Sequence, residues 1–210
     1  MVIIKQLNDA ASIEDACALL HNRLIEQIGW NFLPKNPSQL RVEIRNNRHL
    51  LVDRFTDNAA WFGAFDDSML VGCLRVTFVD ENNKLEIDGY KNSQVIQEYL
   101  PENRSNCTEM TRIAILKNYS GLGILRSLCL AAFKYCDSNK YSICGAPSNV
   151  HVISLFKRIQ FPLKMANAFK YEEQDPESVH FYFADQGKLE IKNMIMLLES
   201  LDKSRESACA

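Results

Sequence analysis

Several common routes to a function are closed by what the chain has little of. Its seven cysteines include no C-x-x-C spacing, so paired-thiol redox and zinc-binding patterns are missing. An odd number of thiols, five of them inside apolar runs, reads as free buried cysteine and hence as a reducing compartment. Lys and Arg number 24 against 26 Asp and Glu, a formal charge of −2, so the excess of cations that nucleic-acid binding requires is absent. There is no Gly-x-Ser-x-Gly, and no Cys/His arrangement surrounds His49 or His180, which argues against a serine or cysteine hydrolase. His21 and His151 read as helix-face residues, and no metal-ligand set is expected. Val2, Ile3 and Ile4 are too short a run for a signal peptide or a membrane span, and the expectation is a cytoplasmic protein. Repeats and low-complexity stretches are also missing, and 47% hydrophobic with 24% charged residues excludes disorder.

What remains is an ordinary α/β pattern. A strand over Val2–Leu7 precedes a helix capped by Ser12 and running to Gly29, with Ala16, Leu19, Leu20, Leu24 and Ile28 on its apolar stripe. Ser38–Asn46 is predicted as a second helix. Strands over Trp61–Phe65 and Met69–Val79 flank Asp66, Asp67 and Ser68, which is hairpin chemistry. Residues 80–106 are polar, with one short helix near Ser93–Leu100. A strand over Cys107–Leu116 then leads through Gly121 and Gly123 into an apolar helix from Leu122 to Cys136. A strand over Tyr141–Ala146, a helix over Val150–Ile159, and strands near Leu163–Tyr171 and Val179–Ala184 follow. Residues 1–186 are expected to form one domain, and 187–210 an amphipathic helix and tail. Strand, loop, helix and strand in the middle imply a parallel pair within an otherwise antiparallel sheet.

This order, with a glycine turn between a central strand and a helix, resembles the GNAT acyltransferase superfamily over about residues 1 to 185. The resemblance implies a mixed central sheet, splayed in the middle and flanked by helices. It also implies a thioester donor whose pyrophosphate rests on the loop holding Gly121 and Gly123. Asn118 stands where that family carries Gln or Arg, Gln160 replaces a glycine, and Phe156 occupies the place of a proton-donating tyrosine. The chain is more closely similar to acyl-homoserine-lactone synthases and long-chain N-acyl amino acid synthases. The matching pieces are Gly29 with Trp30, Asp53 with Asp57, Val71 and Gly72 with Arg75, and Glu109 with Arg112, in the same order. Leu20 takes the place of an arginine, and the acidic pair has one extra residue between its members.

The function implied is transfer of a fatty acyl group from acyl carrier protein or coenzyme A to the amine of an amino acid, or of a derivative such as S-adenosylmethionine. No permanently bound cofactor is implied. Such a transfer needs a neutral amine, a polarised carbonyl and a place for the donor arm. Glu109 is the candidate base, with Arg112 beside it. Asp53 and Asp57 would hold the ammonium, Arg75 an acceptor carboxylate or the donor, and Trp30 the substrate. The resemblance makes the backbone amides near Ile113 and Ile115 the oxyanion hole. Glu109 and Arg112 are three apart and fall on opposite faces of a regular strand, so a bulge is needed to bring them together. The alternatives are an acetyl-CoA N-acetyltransferase on the same fold, and a catalytically silent acyl-thioester-binding module, which the altered Asn118, Gln160 and Leu20 suggest; for Glu109 with Arg112 the alternative is a surface pair or a structural salt bridge.

Overall fold

In the computed structural model the described residues are 2–32, 35–120, 122–148, 150–158, 168–171, 173 and 178–206. Six strands form the main sheet: β1 (Val2–Leu7), β4 (Ala59–Asp66), β5 (Met69–Phe78), β6 (Cys107–Ile115), β7 (Ser142–Gly145) and β8 (Tyr182–Ala184), hydrogen-bonded in that order. Every pairing is antiparallel except that of β6 with β7. The crossover between those two carries helix α2 (Leu122–Asn139), as parallel neighbours require. A separate hairpin of β2 (Arg41–Arg45) and β3 (Arg48–Val52) lies beside the sheet.

Helix α1 (Ala10–Leu20) starts three residues before the position its hydroxyl cap suggests: Asp9 is the N-cap, and the Ser12 amide donates to its carboxylate at 2.9 Å. After Leu20 the winding loosens into a π-helix, His21–Gln27. Gly29 ends it at φ 75°, and the Trp30 amide reaches back to the Leu24 carbonyl at 2.8 Å.

The expected helix over Ser38–Asn46 is instead half of the β2–β3 hairpin. Val42 and Ile44 alternate with Arg41, Glu43 and Arg45, the period of a strand. Asn46 and Asn47 both take positive φ (51° and 59°), which is the turn that closes a two-residue hairpin. The segment near Ser93–Leu100 winds as a 3₁₀-helix, Lys91–Tyr99. Of the two last expected strands, the second is present as β8, joined by an isolated bridge between Phe169 and Val179, while residues 161–167 lie outside those described.

The two faces of the sheet bury different partners. Ala60, Phe62, Leu74, Val76 and Met110 pack against α2 and against Phe156 of α3 (Val150–Arg158). Helix α4 (Glu190–Glu206) joins this cluster through Ile191, Met194 and Leu198. On the other face Trp61, Cys73 and Ala114 pack against Ala16, Cys17, Leu19 and Leu20 of α1 and Leu50 and Leu51 of β3. A third cluster fills the space under the 80–106 excursion, with Leu85, Ile87, Ile96, Cys107, Cys144 and Phe183. Cys17, Cys73, Cys107, Cys129, Cys136 and Cys144 are free and buried, while Cys209 lies outside the described residues. Among the described residues no helix is long and apolar enough to cross a membrane.

Candidate active site

The site is assembled from the ends and irregularities of these elements. Just past β3 the chain makes a tight polar turn. The Asp53 amide donates to the Thr56 hydroxyl (2.9 Å), and the Phe55 amide donates to the Asp53 carboxylate (3.0 Å). Such turns hold the carboxylate in place through the local backbone. Arg75, on the α1 face of β5 and 1% exposed, donates to Asp53 (2.7 Å), to Glu86 (2.7 Å) and to the Thr111 hydroxyl (2.9 Å). Its guanidinium lies 5.4 Å from the centre of the Trp61 ring. A fully buried arginine is costly unless its donors are met, and here each side of the fork has an acceptor.

Arg112 reaches the same pair of acids because β6 is bulged. Cys73 pairs with Ala114 and Arg75 with Thr111, so Leu74 alone faces both Arg112 and Ile113. Arg112 takes φ 50°, a left-handed conformation that disfavours a long side chain. This turns its guanidinium to the face that carries Glu109. Arg112 donates to Asp53 at 2.7 and 3.1 Å and to Glu86 at 2.5 Å. Ser38 donates to Glu86 (2.7 Å) and accepts from the Tyr90 hydroxyl (2.9 Å). Burial works to raise Asp53, but Arg112 and Arg75 overcome it and hold the carboxyl well below its usual range. The Arg112 guanidinium is pushed up against its burial by Glu86 and Asp53.

Two acids and two arginines therefore satisfy one another, and Glu109 is left over. It is 2% exposed, and its carboxylate accepts from the Ile87 amide at 2.9 Å. Among the described residues it forms no ion pair. Burial first, and the neighbouring Glu86 second, push its carboxyl up to about 8, against the weaker pull of that amide, Arg112 and Arg75. The rings of Tyr90 and Tyr171 meet nearby, centres 4.5 Å apart and planes tilted by 45°. Burial and Glu86 raise Tyr90 to about 12, and burial and Glu109 raise Tyr171 well above its ordinary value.

Glu109 also stands where the sheet opens. Among the described residues β6 and β7 pair only through Cys107, Thr108 and Glu109, and β6 then continues without a strand partner on that side to Ile115. The Leu116 amide donates to Val71 on β5 at 2.9 Å, so strand alternation turns the amides of Ile115 and Ile113 toward the open side. An extended donor arm can add to such an edge as a strand adds to a sheet.

The structure thus gathers Glu109, Arg112, Asp53 and Arg75 into one cluster. Asp57 is exposed and outside it. Trp30 is half-buried beside Phe32 (5.9 Å) in the α1–β3 cluster, and it takes no part in the ion pairs. Gly123 opens α2, Asn118 lies in an exposed turn before it, and Gly121 and Gln160 fall outside the described residues. Phe156 is wholly buried and packs edge-on against Tyr182 at 5.0 Å. Glu86 escapes a reading of the sequence. Its signal was faint: an acid between Leu85 and Ile87, an apolar pair inside an otherwise polar stretch.

A comparison with protein families matches residues 24–161 to the acetyltransferase (GNAT) family. The chain belongs to that family. No curated protein matches it significantly in sequence. Among solved structures, this GNAT chain is similar to a CoA-dependent acyl-homoserine-lactone synthase, BjaI, solved with SAM and isopentyl-CoA. The TM-score is 0.68 at 12% identity, over 95% of this chain and 90% of that one. It is similar to FeeM, an N-acyl amino acid synthase from uncultured soil microbes (TM-score 0.63, 13% identity, 90% and 92% covered). It also resembles the AHL synthase LasI (0.62, 13%, 91% and 93%). At these identities the likeness establishes the shared fold, and the family match makes the chain an N-acyltransferase.

Proposed function

We propose that this GNAT protein transfers a fatty acyl group from a thioester, on acyl carrier protein or coenzyme A, to the amine of an amino acid or amino-acid derivative. The observation that carries the reading is Glu109: a buried carboxyl without a cation of its own, at the point where β6 and β7 part. A carboxyl near 8 matches an α-amino group, whose ordinary pKa is about 7.7–8.0, so a proton passes between them at little cost. Glu109 takes a proton from the acceptor ammonium. The amine nitrogen attacks the thioester carbonyl, and the oxyanion is met by the amides of Ile113 and Ile115. The carbon–sulfur bond then breaks, the departing thiolate takes that proton back from Glu109, and the freed carboxylate accepts the second proton from the new amide nitrogen and passes it to solvent. Phe156 has no proton to give, which leaves these transfers to the one carboxyl.

Asp53, Glu86, Arg75 and Arg112 fix the bulge and keep Glu109 without a counter-ion. Gly123 and the start of α2 take the donor's phosphate, and the protein works in the cytoplasm as residues 1–186 with a packed terminal helix. Thiol release, followed with acyl donors of increasing chain length against a panel of amino acids and S-adenosylmethionine, tests the proposal. A long-chain preference with an amide product is expected. A preference for acetyl-CoA would replace this reading with ordinary acetyl transfer, and thioester binding without turnover would replace it with a silent module.

A further inference from the structure

A second convergence of titratable side chains lies apart from the ion-pair cluster, where α1 changes its winding. In an α-helix, residues five apart sit about 140° round the axis. The i→i+5 bonding of a π-helix returns them to one face. In the segment His21–Gln27 it brings the two ends of that interval together, with His21 Nδ1 3.4 Å from Glu26 Oε1. His49, on β3, sets its ring 5.1 Å from that of His21, planes 31° apart. One ligand atom from each of the three lies within 4.8 Å of the others.

We infer that His21, Glu26 and His49 bind a divalent transition ion of borderline softness, Zn²⁺ best of all, which ties the π-helical end of α1 to the β2–β3 hairpin. Two imidazoles and a carboxylate are a donor set that such an ion prefers. At a zinc–nitrogen distance of about 2.0–2.1 Å each ring centre sits about 3.2 Å from the metal, so two imidazoles at the tetrahedral angle have centres about 5.2 Å apart. The rings of His21 and His49 already have that separation. Closing the remaining gap falls to Glu26 and His49, the two exposed members, whose side chains turn without disturbing the core. π-Helical turns are rare and concentrate at functional sites. This one is the reason that Glu26 faces the histidines. Three protein ligands leave a fourth position for water. The site is joined to the catalytic cluster through the chain, since β3 runs from His49 to Val52, directly before Asp53.

The test is titration of the full chain with ZnCl₂ by calorimetry and with CoCl₂ by absorption, in a Cys209→Ser background that removes the thiol outside the described residues. One ion per chain is expected, with d–d bands, no thiolate charge-transfer band, and a higher melting temperature in zinc. His49→Ala and Glu26→Gln, both at exposed positions, should each weaken binding by more than about tenfold. Neither should change the melting temperature of the metal-free protein. Binding that survives His49→Ala, or no saturable binding, overturns the inference and leaves two stacked imidazoles beside an ordinary His–Glu contact.

Discussion

Glu109 is a carboxyl that the fold keeps protonated at neutral pH, because burial and Glu86 both oppose its charge. If its carboxylate is the base, turnover should climb as pH rises through about 8. That limb should stay in place when acceptors of different amine pKa are exchanged, whereas a limb set by the acceptor would move with it. Glu109→Gln should lower kcat by about 100-fold or more with a native circular-dichroism spectrum, and unchanged kcat would remove Glu109 from the chemistry. Arg75 tests the opposite property, that of a charge held for structure. Arg75→Met strips Asp53 and Glu86 of a shared partner at a site 1% exposed, and should cost about 3–5 kcal/mol in chemical denaturation.

Among the elements, the bulged strand β6 does most to define the site. A regular β6 would send Arg112 to the α2 side, and the extra residue opposite Leu74 sends it to Asp53 instead. This was legible in the sequence as a conflict, since Glu109 and Arg112 stand three apart where a shared face requires an even spacing. The β2–β3 hairpin was less legible, because a hydroxyl at Ser38 resembles a helix cap, although Ser38 spends its hydroxyl on Glu86. Glu86 itself was invisible for a related reason. It arrives on a segment without strand or α-helix periodicity, so neither period nor motif marks it, and only the three-dimensional closure over Ile87 and Glu109 does. Phe156 on α3 behaves as core. Phe156→Ala should cost about 3–5 kcal/mol, read from the denaturation midpoint, through the cavity left beside Tyr182.

At the scale of the whole molecule, the buried charges set a pH window for stability. Asp53 is depressed, so its contribution is present above the ordinary carboxylate pKa and fades as pH falls. Glu109 is raised, so its contribution is complete below the ordinary carboxylate pKa and is lost as pH rises through about 8. The melting temperature of the native protein should therefore fall as pH rises from the ordinary carboxylate range to about 8, and Glu109→Gln should flatten that fall. Helix α4 packs on the same core, with Ile191, Met194 and Leu198 joining the α2 cluster. A chain ending at Gly187 should lose its cooperative thermal transition.

The cysteines carry a consequence for handling the molecule. Burial raises Cys17, Cys129 and Cys136 to about 12 and Cys107 to about 11, so the nucleophilic thiolate is scarce as well as shielded. Toward an alkylating reagent the native fold is almost mute on six of its sulfurs, two in each of the three clusters, and each one that speaks dates the breathing of the cluster that holds it.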